Sequence, residues 1–222
     1  MKIQSLLRRV LVGPAVCALF LAAPLSHAGI TATLIGNGFA NGNSSMTLST
    51  GLPLAENPVP TGGFTGTFGG NPLLFWCGEL NQTFSFGDSQ PYTATVFTNS
   101  NLSRLFTEAG GSAGATSTAT KSAAFQLAVW EILFEGTTST PYSLSTGDFK
   151  ATGDSAALAQ ADTWLLNLGS FAASTILVSL TNPSHQDFIT DFMPPSLLVP
   201  EPGSLALLGV GLFALIAMRR RT

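Results

Sequence analysis

Several short stretches of this chain alternate with period two, and two longer ones carry apolar residues at helical spacing. Ile30 to Ile35 alternates Thr and Ala with larger apolar residues and predicts a strand. Gly36 to Gly42 reads as a turn, and Met46 and Leu48 suggest a second strand. Leu52 to Asn71 is dense in Pro and Gly and reads as a loop. Leu73 to Leu80 is apolar, and Thr83 to Phe86 and Tyr92 to Thr98 alternate again, with Gly87-Asp88 as a turn. Asn101 to Ala109 reads as a short helix and Gly110 to Thr118 as a small-residue loop.

The strongest helical pattern runs from Lys121 to Glu135, closed by Gly136. Phe125, Ala128, Val129, Ile132 and Leu133 form one stripe, and Leu127, Trp130 and Phe134 form another. Apolar residues on both sides predict a helix buried between two layers. Thr137 to Gly153 reads as a loop. Asp154 is placed to cap a second helix through Leu168, ended by Gly169. Ser174 to Leu180 and Gln186 to Phe192 read as closing strands. Strands, then helices, then strands predict an α+β fold: a β-rich sandwich or small barrel with two main helices.

The two ends are unlike the middle. Lys2, Arg8 and Arg9 precede a short apolar core, Val10 to Ala23, and Ser26-His27-Ala28 supplies small residues for cleavage. Residues 1–28 therefore read as a secretory signal, with the mature chain starting at Gly29. At the other end, Val199-Pro200-Glu201-Pro202 breaks regular structure, because proline fixes φ and lacks an N–H. An uncharged apolar run follows to Met218, and then Arg219, Arg220 and Arg221. As a helix, residues 203–218 would be about 24 Å long, a short transmembrane span. The arginines would remain on the cytoplasmic side. Together the Val-Pro-Glu-Pro sequence, the apolar helix and the Arg cluster resemble a PEP-CTERM sorting signal. The resemblance implies export through the inner membrane, a membrane-anchored precursor, and processing near the motif by an exosortase. Three segments result: signal 1–28, an extracytoplasmic domain 29–198, and a sorting tail 199–222.

Charge follows the same division. Between residues 29 and 198 only Arg104, Lys121 and Lys150 are basic against eleven acidic residues, a formal charge of −8. Nucleic acid is a poor partner for such a surface. Cys17 falls in the signal, which leaves Cys77 as the one cysteine of the domain and permits no internal disulfide. With His185 as the domain's one histidine, neither a metal site nor a cofactor is indicated.

Chemistry is concentrated in two stretches, Phe75-Trp76-Cys77-Gly78-Glu79-Leu80 and Ala124-Phe125-Gln126-Leu127-Ala128-Val129-Trp130-Glu131. An aromatic-Cys followed some fifty residues later by Phe-Gln-x-Ala-x-Trp on a helix resembles the thioester domains of bacterial surface adhesins. The resemblance implies an internal thioester between the Cys77 sulfur and the Gln126 acyl group, with Trp76 and Trp130 walling the site. A surface amine or hydroxyl would be the captured nucleophile. This is a single-use capture, not an enzyme activity. The residues alone also allow Cys77 as an ordinary core cysteine and Gln126 as a side chain that caps a helix start or bonds a neighbouring strand. The domain would then be a noncovalent binding or structural component of an exopolysaccharide matrix. A cysteine hydrolase would need His185 beside Cys77. Glu131 and Glu135 share one helix face, as an acid/base pair or, more simply, as its polar edge. The expected location is the cell surface or extracellular matrix, after export and a membrane-anchored stage.

Overall fold

The computed structural model describes residues 29–135 and 141–197. The signal segment, Gly136 and the sorting tail, where a transmembrane helix is expected, lie outside the described residues. Among the described residues, no helix is long and apolar enough to cross a membrane.

Six antiparallel strands close into a barrel: β1 (Ile30–Phe39), β4 (Phe64–Phe68), β5 (Asn71–Cys77), β9 (His185–Thr190), β8 (Leu177–Asn182) and β6 (Ser89–Phe97), in that order around the wall. Three short strands, β3 (Val59–Thr61), β2 (Ser44–Ser49) and β7 (Lys150–Thr152), form a second sheet. The helices are α1 (Ser100–Ala109), α2 (Gly111–Ala115), α3 (Ala119–Phe134) and α4 (Ser155–Asn167). The fold is thus α+β with a small barrel, and sequence reading had left barrel and sandwich open.

The barrel interior is aromatic. Phe75 and Phe188 approach with ring centroids 4.8 Å apart, and Phe64, Phe84 and Tyr92 complete the cluster. Alternation along β5 sends Phe75 and Cys77 to one face and Trp76 to the other, where it packs on Phe125 of α3 at 4.4 Å. Helix α3 is buried at every position from Ser122 to Ile132. It lies between α4 on one side and β2, β3 and β5 on the other, as its two apolar stripes predict. Phe125 ties these layers together by touching Trp76, Phe106 of α1 and Trp164 of α4. Asp154 caps α4 as expected, accepting from the N–H groups of Ala156 and Ala157.

Five expectations need correction. The Pro/Gly-dense stretch from Leu52 to Asn71 contains β3 and β4. Gly66 serves close packing: a Cβ there would lie 2.2 Å from the Ile35 carbonyl oxygen. Thr83 to Phe86 is not a strand. Its alternation is real, since Phe84 and Phe86 pack on the barrel aromatics, but no neighbouring strand bonds it. Gly36 to Gly42 is not all turn, because β1 runs on to Phe39 through a register shift between Gly36 and Gly38. The loops read at 110–118 and 137–153 contain α2 and β7.

Candidate functional site

Strand β5 outruns its neighbour β4. The ladder between them ends at Phe64 opposite Phe75, so the N–H and C=O of Cys77 have no strand partner on that side. Gln126 takes the vacant place. Its Oε1 accepts the Cys77 N–H at 2.8 Å, and its Nε2 donates to the Cys77 carbonyl at 3.0 Å. The carboxamide thus pairs with the main chain as another peptide group would. One helical turn earlier, Ser122 Oγ accepts the N–H of Gly63 at 2.9 Å. Ser122 and Gln126, four residues apart on α3, stitch the helix to the ends of β4 and β5. A side chain on Gly63 would strike the Trp76 ring at 2.6 Å, so glycine is needed for the strand to pass over the indole.

The two residues that the sequence motifs pair, Cys77 and Gln126, are therefore in direct contact, and both are buried. Burial pushes the Cys77 thiol well above its ordinary range, and the nearby carboxylates of Glu56 and Glu79 add to the rise. Cys77 also borders an apolar cleft of about 170 Å³ at the barrel mouth, lined by Phe39, Phe64, Phe84, Phe86 and Glu56 among others. Neither tryptophan lines this cleft. Trp76 donates its indole N–H to Ser112 Oγ at 3.1 Å and stacks on Phe125. Trp130 sits one turn beyond Gln126 and packs near Phe149, with its buried Nε1 unpartnered among the described residues. The aromatic rings on the cleft itself are phenylalanines.

His185 opens β9 after the turn at Pro183-Ser184 and bonds Asn182 Oδ1 through Nδ1 at 3.3 Å. It borders a separate, polar groove and is not among the residues around the Cys77 cleft. Glu131 and Glu135 are not a solvated edge. Both are buried and hold the segment before β7: Glu131 Oε1 accepts from Ser143 N–H at 2.7 Å, and Glu135 Oε2 from Phe149 N–H at 2.8 Å. Burial pushes the Glu131 carboxyl up to about 7; the Ser143 bond opposes this, and Glu135 and Asp162 add to it.

Sequence reading missed Ser122, Ser112 and the polar groove. Ser122 had a usable signal, its spacing of four residues from Gln126. Ser112 and the groove had none, because their neighbours come from distant parts of the chain.

A family model of the PEP-CTERM protein-sorting motif matches residues 198–221. The motif marks an exported protein sorted by an exosortase through a membrane-anchored precursor. No curated protein and no solved structure matches the chain, so no relative supports the resemblance to adhesin thioester domains.

Proposed function

We propose that the exported domain acts in adhesion at the cell surface or in the extracellular matrix, through an internal thioester between Cys77 and Gln126. The observation that carries the reading is their contact: residues 49 apart in sequence meet in a buried site with the carboxamide held against Cys77. Fixing two reacting groups side by side can remove roughly 7–11 kcal/mol of a reaction barrier. The Cys77 N–H already points at the oxygen on which charge would develop. The sulfur attacks Cδ, the Cδ–Nε2 bond breaks, and the thiol proton leaves with Nε2 as ammonia. Because burial disfavours the free thiolate, proton transfer to Nε2 accompanies attack. An incoming amine or hydroxyl then displaces sulfur, which regains the proton that the nucleophile gives up. Each molecule captures once.

A second reading is favoured by the hydrogen bonds themselves. They engage both ends of the carboxamide with the Cys77 main chain, which is a sufficient structural role for Gln126. The domain would then bind an exopolysaccharide without covalent capture.

Intact mass of the exported protein beside Cys77→Ala decides between them. A wild type lighter than its sequence by one ammonia, with the variant at full mass, supports the thioester. Full mass in both refutes it and leaves the noncovalent reading.

A further inference from the structure

The cleft at the barrel mouth is a space of about 170 Å³ that the aromatic core leaves unfilled. Pockets for drug-sized ligands run roughly 300–1,000 Å³, so this one takes a single small group. Phe39, Phe64, Phe84 and Phe86 line it. Their rings are set at steep angles: Phe84 and Phe86 cross at 88°, and Phe39 and Phe86 at 79°. Phe86 is 46% exposed, so the ring cluster opens to solvent.

Charge at the cleft has one sign. Glu56 is the one carboxylate of the lining, and none of the domain's three cationic side chains borders it. Cys77 contributes a neutral sulfur, because burial holds its thiol well above the ordinary range. The Glu56 charge adds to that rise, which places it within electrostatic reach of the sulfur. The main chain on both sides of Glu56 is tied down. Before it, the Ala55 N–H donates to the Leu80 carbonyl at 2.8 Å. After it, Asn57 Oδ1 accepts the Leu48 N–H at 3.1 Å, and Nδ2 donates to the Leu48 carbonyl at 3.0 Å. The exposed Glu56 carboxylate is thereby kept at the edge of the cleft.

Aromatic rings attract a cation, and a carboxylate beside them adds to the pull. An ammonium that keeps its N–H groups needs acceptors for them, and walls of ring carbon supply few. A fully methylated ammonium has no N–H to satisfy, and its methyl groups suit apolar walls. We propose that this cleft binds a quaternary ammonium group, tetramethylammonium or the head of choline, among the phenylalanine rings with Glu56 as counter-charge. Glu56 and the domain's formal charge of −8 repel a phosphate on the same ligand, so the ligand is the free cation and not a phosphocholine headgroup. The inference goes beyond covalent capture and does not require the thioester.

Saturation-transfer NMR on the full chain tests it, in a maltoside detergent that carries no ammonium group. Tetramethylammonium has no N–H or O–H to be acylated, so its binding is read apart from any capture. Its methyl signal gains saturation from the protein. Choline binds at a concentration about tenfold lower than its neutral isostere, 3,3-dimethylbutan-1-ol. Glu56→Gln raises the half-saturating concentration of tetramethylammonium about tenfold, leaves that of the isostere unchanged and keeps the melting temperature. Phe86→Ala weakens all three ligands; if it melts lower than wild type, Glu56→Gln alone decides. The proposal is overturned by no transfer to tetramethylammonium, by equal binding of choline and its isostere, by phosphocholine binding as well as choline, or by wild-type titrations in Glu56→Gln. A missing ammonia deficit with retained tetramethylammonium binding sinks only the thioester, and the reverse pair of results sinks only the cation site.

Discussion

Gln126 bonds the main chain of Cys77, not its side chain, through a matched donor and acceptor at 3.0 and 2.8 Å. The two residues therefore respond differently to truncation. Gln126→Ala strands a buried N–H and a buried C=O and is expected to cost about 2–5 kcal/mol. Cys77→Ala keeps both main-chain groups and removes only a sulfur, which costs about 1 kcal/mol without a covalent link. With a thioester it also opens a loop, and by chain entropy that adds about 4 kcal/mol. Urea denaturation of both variants measures the difference.

Thiol labelling reads the same site independently. Under the thioester reading, iodoacetamide fails to label the native protein until methylamine is added and labels Cys77 afterwards. If Cys77 is only a buried core residue, methylamine changes nothing and labelling follows unfolding.

Acidification should stabilise the domain. Glu131 and Glu108 both titrate near 7 in the fold against an ordinary 4.5, because burial disfavours their charged forms. The folded state then binds protons more tightly than the unfolded chain, so stability rises as pH falls from about 8 to about 5. Asp154 is held low by Ser44 and the α4 N-terminus, and its contribution is lost only as pH falls below its ordinary 3.8. Glu131→Gln should flatten the slope by on the order of 2 kcal/mol between pH 5 and 8, allowing for screening. Thermal melts across this range that favour pH 8 would contradict the assignment.

Gly63 is expected to tolerate no side chain. In Gly63→Ala the new Cβ meets a rigid indole, not a flexible chain end, and Trp76 is pinned by Ser112 and Phe125. Overpacking of this kind costs about 1–3 kcal/mol. Chemical denaturation together with near-ultraviolet dichroism of the tryptophans reports it.

These residues also indicate where sequence reading works. Helix α3 was legible because its two apolar stripes record burial on both sides, and α4 because Asp154 is a local cap. Strand β4 was hidden by composition, since its Gly66 is dictated by the Ile35 carbonyl, contributed by β1. The Thr83–Phe86 alternation recorded a true division between a polar and an aromatic side, but periodicity does not say whether a hydrogen-bonding neighbour exists. The meeting of Cys77 and Gln126 was legible only through motif resemblance. Their hydrogen bonds depend on where β4 stops, and no pattern local to either residue encodes that.

The order of strands around the barrel also sets a timetable. β5 and β6 are consecutive in the chain, yet β9 and β8 stand between them in the wall. The cylinder stays open until residues 177–190 arrive to fill the gap. A chain that crosses a membrane from its N-terminus can form the α3–β5 contact early but cannot lock the wall until nearly all of this domain has emerged. Non-local closure of this kind is slow. The last strand needed for closure ends at Thr190, just before the sorting motif at 198–221.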